Sequence, residues 1–226
     1  LASEAGQDVR LLFNGEGGDP LFGGPKNKFM IIHNWYKQLT GEDTTKAYLS
    51  SYHKFYDYLG SVYRGKFRKQ LIGDEDLESF VRPTLESDQP RSFLNKLMYL
   101  NTKLKGGQNI QVKIDKMLSA HALPAMSPLF DRALAEFSFT IPTHLKRQGD
   151  VEKYVFKKSI DDKLPRPVVY RKKAGMGVPL NHWFLRTELR DYAHDLLRSQ
   201  RARQRGYFNQ KLVRRLLNGQ MPENAL

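Results

Sequence analysis

The stretch Asn14-Gly15-Glu16-Gly17-Gly18-Asp19-Pro20-Leu21-Phe22-Gly23-Gly24-Pro25 holds five glycines, two prolines and two carboxylates. It follows an apolar run, Val9-Arg-Leu-Leu-Phe13, and helical spacing resumes after it. Strand, glycine loop and helix in that order bring backbone N–H groups to a phosphate in α/β folds. Both common phosphate fingerprints fail. G-x-G-x-x-G begun at Gly15 meets Pro20, and the Walker A pattern finds no Lys with Ser or Thr directly after Gly24. Glu16 and Asp19 add a second chemistry. A carboxylate repels phosphate unless Mg²⁺ lies between them, or unless it serves as a base on another group. A solvated surface turn needs fewer glycines than this loop has, so we favour a functional loop.

A second candidate is Arg171-Lys172-Lys173, set before Gly175 and Gly177. Three cations in a loop can neutralise a triphosphate or offset charge on a transferring phosphoryl group. On local evidence alone, a solvated basic loop is the plainer account. The six histidines form no H-x-H or H-x-x-x-H pair, and the chain has no Cys. A transition-metal site, a disulfide framework and a Cys nucleophile are therefore not expected of these residues. Ser119 lies near His121 without an elbow motif around it. The arginines Arg198, Arg201, Arg203, Arg205, Arg214 and Arg215 could meet an acidic partner, but we expect a solvated helix end and loop.

The elements that must position these residues follow from periodicity. Val9–Phe13 is apolar at nearly every position and predicts a buried strand. Phe93, Leu97, Leu100 and Leu104 share one face of a helix expected to end at Gly106-Gly107. A further helix is expected from Asn109 to Leu123. The next carries Leu129, Ala133, Phe137 and Ile141, with Ser127 as N-cap and Pro128 at its first position. Glu152 to Ile160 predicts another, Leu185, Leu189, Tyr192 and Leu196 mark one more, and Asn209 caps a last one burying Leu212, Val213, Leu216 and Leu217. The chain thus reads as predominantly α-helical with about one strand near its N-terminus. A lone strand needs partners, so we expect the rest of its sheet before residue 1.

The 226 residues carry 37 Lys and Arg against 24 Asp and Glu, a formal charge of +13. Such a charge suits nucleic acid, an anionic membrane face or a phosphorylated ligand. No apolar run approaches ~20 residues, so no membrane span is expected. An aromatic content of 12% speaks against a disordered chain. The start lacks a signal-peptide pattern and an initiator Met, as a fragment would.

Read together, the motifs resemble one family. Asn14-Gly-Glu-Gly-Gly-Asp-Pro-Leu-Phe-Gly-Gly24 resembles the G-E-G-[GS]-D-E-[LV]-F-G-G loop of the asparagine synthases. Asp115-Lys-Met117, followed by Pro128-Leu-Phe-Asp131, is similar to the family's D-R-M and P-F-L-D blocks. Glu152-Lys153-Tyr154, Leu164-Pro165, Arg171 to Pro179 and Trp183 resemble its closing K-x-x-[LF], LP, R-x-K-x-G-F-x-x-P and W series. The blocks keep their order from about Val9 to Leu217.

The resemblance implies an α/β parent fold, adenine nucleotide alpha hydrolase-like and of the PP-loop type. Residues 1–226 would be the C-terminal portion of its synthetase domain. It implies ATP and Mg²⁺, carboxylate adenylation with release of pyrophosphate, and attack by an amine to give an amide. Asn14 and Gly15 match the nucleotide site, Glu16 the acid associated with forming the adenylate and with handling the amine proton, and Lys173 the lysine that stabilises the charged intermediate. Asp19 falls toward the metal–pyrophosphate region, with Gly17, Gly18, Arg171 and Gly175 as supporting loop positions. No direct protein ligand to a metal is assigned. The family's S-G-G-x-D-S loop is absent from these residues and is expected upstream, with a glutaminase domain of the same parent chain. Pro20 stands where the family usually has Glu, and Pro25 where it has Tyr. Pro124 and Met126 replace the Glu and Arg of E-x-R-x-P-F-L-D. Arginine pairs a carboxylate bidentately and Met does not, so the acid is aspartate or another carboxylate. The amine is ammonia, or an amine of the substrate itself as in β-lactam synthetases and lasso-peptide cyclases. A cytoplasmic location and a homodimer fit the family. A basic nucleic-acid-binding module is the alternative from another class, although no recognition signature is present.

Overall fold

Apolar runs cut short by Gly and Pro give this chain many short helices and very little strand. The computed structural model describes residues 2–24, 27–52, 55–72, 76–171, 178–186 and 188–220. The chain divides into two units, Leu1–Tyr36 with Val81–Lys173, and Lys37–Phe80 with Ala174–Leu226. No helix among the described residues is long and apolar enough to cross a membrane.

In the first unit, strand β1 (Leu12–Phe13) lies parallel to β2 (Ala125–Met126), with Leu12 opposite Ala125 and Phe13 opposite Met126. The expected strand is thus two residues long, and it is not buried, since Phe13 is 63% exposed. Burial of a parallel strand needs a layer on each face, and β1 has one neighbouring strand among the described residues. After β1 the glycine loop is not wholly irregular, because Gly18–Leu21 forms one helical turn. Pro20 is tolerated there because first-turn N–H groups have no intrahelical acceptor. Leu21 and Phe22 are buried with Ile141 against Leu134, Phe139, Val155 and Phe156. The Phe22 and Phe156 rings stack at 5.1 Å. This apolar anchor holds the loop from below.

The helix from Phe93 does not stop at Gly106-Gly107. It passes from Phe93–Leu100 through a π-wound segment, Asn101–Gln111, into Val112–Ser119. The glycine serves close approach instead of termination. A Cβ on Gly106 would stand 2.5 Å from the Phe130 ring. The next helix is Arg132–Thr140, capped by Asp131, whose carboxylate accepts the Leu134 N–H at 3.1 Å. Ser127 instead precedes a short 3₁₀ turn, Pro128–Phe130. Phe137 is 59% exposed, and the helix turns Ser138 inward in its place. Strands β3 (Arg147–Gln148) and β4 (Val151–Glu152) form an antiparallel hairpin. Because Glu152 pairs with Arg147, the following helix starts at Tyr154 and runs to Ser159.

In the second unit, the helix Gln210–Leu217 begins as expected. Asn209 Oδ1 accepts the Lys211 and Leu212 N–H groups. Val213 and Leu217 pack with Ala193, Leu197 and Phe208, and Leu212 with Phe55, Tyr58, Val62 and Leu216. On the helix Glu188–Arg198 the expected apolar positions Leu189, Tyr192 and Leu196 are exposed, and Ala193 is the buried residue.

Candidate functional site

The glycine loop is pinned at its start by β-pairing and a chain of side chains. Asn14 N–H donates to the Met126 carbonyl at 2.9 Å, extending the β1–β2 ladder. Asn14 Nδ2 donates to Ser127 Oγ at 2.7 Å, and that hydroxyl donates to Gln111 Oε1 at 2.9 Å. Gln111 Nε2 in turn donates to Asp115 at 3.0 Å. The other end of the Asn14 amide, Oδ1, accepts the Glu16 N–H at 3.1 Å and closes an Asx turn. Asn14 thus sets the position at which Glu16 leaves the loop. Gly15 between them is exposed, with open space where a Cβ would stand.

Gly17 has φ 108, and a Cβ there would lie 2.5 Å from the Leu129 carbonyl oxygen. Only glycine lets the loop turn this tightly against Leu129 and Phe130. Gly18 is buried against Leu129. A Cβ on Gly24 would meet Asp19 Cβ at 2.8 Å, so the loop folds back on itself, and the Gly24 N–H donates to the Asp19 carbonyl at 2.9 Å.

Two acids leave this frame with different surroundings. Glu16 is half-buried, and no hydrogen bond or ion pair to its carboxylate occurs among the described residues. Asp19 Oδ1 accepts from Lys153 Nζ at 2.8 Å, with 16% of the Lys153 side chain and 35% of Asp19 exposed. Lys153 sits at φ 56 between β4 and the helix Tyr154–Ser159. Lys153 belongs to the Glu152-Lys153-Tyr154 block, and nothing in the residues around it marks a role. Its place opposite Asp19 is set across 134 residues and leaves no local signal.

Other lysines lie near this frame. Lys146 is fully buried, and its Nζ donates to Asn95 Oδ1 at 2.7 Å, 5.6 Å from the Phe139 ring centre. Burial, with no carboxylate partner among the described residues, pushes its ammonium down to about 8. Lys157 pairs with Glu152 at 3.3 Å. Of the other expected site residues, Arg171 is exposed and makes no ion pair among the described residues. Lys173 and Gly175 lie outside the described residues. No group of three or more His, Cys, Asp or Glu that could hold a metal occurs among the described residues. The loop therefore gathers Asn14, Gly15, Glu16, Gly17, Gly18 and Asp19, and the fold adds Lys153.

The family model described as asparagine synthase matches residues 1–225 of the chain. The chain belongs to the asparagine synthase family. Among curated relatives, "Asparagine synthetase [glutamine-hydrolyzing] 1" of Bacillus subtilis is 26% identical, across all of this chain and 39% of its own length. A "Putative asparagine synthetase [glutamine-hydrolyzing]" of Mycobacterium bovis, and one of the same description from Mycobacterium tuberculosis, are each 24% identical across 89% of this chain and 35% of their own. The chain thus spans well under half the length of these asparagine synthase relatives. No solved structure matches it at a significant level.

Proposed function

We propose that this chain is the C-terminal part of an ATP-dependent amide ligase with a PP-loop-type parent fold. The ligase adenylates a carboxylate, releases pyrophosphate and joins the acyl group to an amine. The observation that carries this is the loop itself. One acid, Glu16, is held by backbone geometry with its carboxylate unpaired among the described residues, and a second, Asp19, is matched with a lysine. The two acids suit two tasks.

Glu16 suits proton transfer. The Asn14 turn fixes its backbone, and no ion pair among the described residues competes for its carboxylate. A carboxylate so placed can take the proton that an attacking amine must lose. Asp19 and Lys153 suit the leaving group. Asp19 is a hard oxygen donor of the type Mg²⁺ takes, and Lys153 is a point charge for phosphate oxygens. These residues fit Mg²⁺ bound with the phosphates of ATP. When bound, the ion would neutralise charge on those phosphates. Lys153, which holds Asp19 at 2.8 Å, is the cation of this frame that we assign to the phosphate oxygens of the departing pyrophosphate. Lys173 is the residue we assign to the charge that develops on the acyl oxygen. The acid substrate is aspartate or another carboxylate, and the relatives' names make ammonia from glutamine the leading amine source, through a glutaminase domain of the parent.

The test is an ATP-dependent amide assay on the longer synthetase that contains this segment. Glu16→Gln and Lys173→Ala should each abolish amide formation. Unchanged turnover in either would remove its assigned role. The 226-residue chain, which contains no S-G-G-x-D-S sequence, should form no pyrophosphate from ATP by itself. Carboxylate-dependent pyrophosphate release by that chain would refute the division of labour.

A further inference from the structure

The second unit brings together two basic segments that the proposed ligase chemistry does not use. Tyr63 to Gln70 holds four cations and no acid, and Arg198 to Arg215 holds seven cations and no acid. Backbone contacts join them. Tyr63 bridges Phe208, the Arg64 N–H donates to the Tyr207 carbonyl at 3.0 Å, and the Asn209 N–H donates to the Val62 carbonyl at 2.7 Å. Rings rigidify the junction. Tyr63 stacks on Phe208 at 5.7 Å, and Phe67 on Tyr207 at 4.4 Å. Beside it opens a cavity of about 620 Å³, with Arg64, Arg203 and Lys211 in its lining next to Tyr63, Phe208 and Ser61. That volume is in the range of small-molecule sites.

None of these three cations pairs with a carboxylate among the described residues. The three cations are exposed, so solvent and salt weaken their mutual repulsion, and an anion seated among them is attracted by all three. A single carboxylate would leave most of that charge unmatched. A chain of two or three phosphates matches three cations, and guanidinium groups suit phosphate oxygens bidentately.

We propose that this cavity binds a di- or triphosphate group, with Arg64, Arg203 and Lys211 as its contacts. The group is either free polyphosphate or the phosphate tail of a nucleotide. The site lies wholly within the second unit and does not rest on the ligase assignment.

Calorimetry on the whole chain with inorganic triphosphate at 50 and 150 mM salt tests it. We expect saturable one-to-one binding that weakens at the higher salt. Arg64→Ala with Arg203→Ala should lower affinity at least tenfold, and Lys211→Ala alone about fivefold, as expected for charge-assisted contacts. Arg214→Ala with Arg215→Ala removes equal charge outside the cavity lining and should change affinity less than about twofold. Lys211 is exposed, so its variant serves if the double variant fails to fold by circular dichroism. An ATP arm separates the sources, and both results support the site. ATP binding tighter than triphosphate and lost in the cavity variants makes a nucleotide the ligand. ATP binding indifferent to those variants makes it free polyphosphate. No saturable triphosphate binding, equal loss in the control variant, or duplex DNA binding that triphosphate does not displace would each overturn the proposal.

Discussion

The Lys153 ammonium lies 2.8 Å from the Asp19 carboxylate, joining the glycine loop to the start of a helix 134 residues away. Most of the Lys153 side chain is covered, so the pair is not an ordinary solvated surface bridge. If Lys153 serves the phosphates, its loss should act on chemistry more than on folding. Lys153→Met in the longer synthetase should lower ATP–pyrophosphate exchange about a hundredfold or more, while urea unfolding shifts by only about 1–2 kcal/mol. Exchange within twofold of wild type would reduce the pair to a structural tie.

Gly17 and Gly15 stand two residues apart and should answer differently to the same change. Gly17→Ala places a methyl group 2.5 Å from the Leu129 carbonyl oxygen at φ 108. Strain of both kinds predicts a loss of at least about 2 kcal/mol. Gly15 has open space at its Cβ position and no left-handed φ, so Gly15→Ala should stay within about 0.5 kcal/mol. Urea unfolding followed by circular dichroism compares them. Equal midpoints would mean that the loop does not seat on Leu129.

The Glu16 carboxylate has no hydrogen bond or ion pair among the described residues. Removing its charge therefore breaks no stabilising contact there. Glu16→Gln should leave the thermal midpoint within about 2 °C while amide formation falls by at least about a hundredfold. A large fall in midpoint with activity retained would assign Glu16 to the scaffold.

Much of this frame was legible because its signals are local. The glycine loop, the Asn209 cap and the helical character follow from residue types within a few positions. What the sequence concealed depends on distant partners. Gly106-Gly107 reads as a helix stop, yet Gly106 is there to admit the Phe130 ring from 24 residues on. Phe137 has the spacing of a core residue, but the surface that buries Ile141 and partly covers Leu134 leaves it outside. Ser127 beside a proline has the form of a helix cap, yet its hydroxyl serves Asn14 and Gln111. Lys153 had a motif and no partner until the fold supplied Asp19. Each miss concerns which surface meets which, and periodicity carries no such information.

Lys146 makes a prediction about pH. Its ammonium is fully buried, donates to Asn95 Oδ1 at 2.7 Å and lies 5.6 Å from the Phe139 ring centre. Burial lowers its pKa from 10.5 to about 8. Between those values the unfolded chain binds the proton and the folded chain does not, so stability rises with pH across that window. Below pH 8 both states are protonated, and the folded state carries the full desolvation cost, about 3 kcal/mol. Tyrosines act in the opposite sense. Tyr48 is pushed up by burial and Tyr56 to about 12 by burial and Glu78, so above pH 10 the unfolded state loses their protons first. Comparison with Lys146→Met isolates the lysine, because both proteins share those tyrosines. The stability of wild type minus variant, from urea unfolding at pH 7.5, 8.5, 9.5 and 10.5, should climb steadily and level off at the top of the series. A flat difference would show that Lys146 keeps its ordinary affinity for the proton, reached by water that enters beside Asn95.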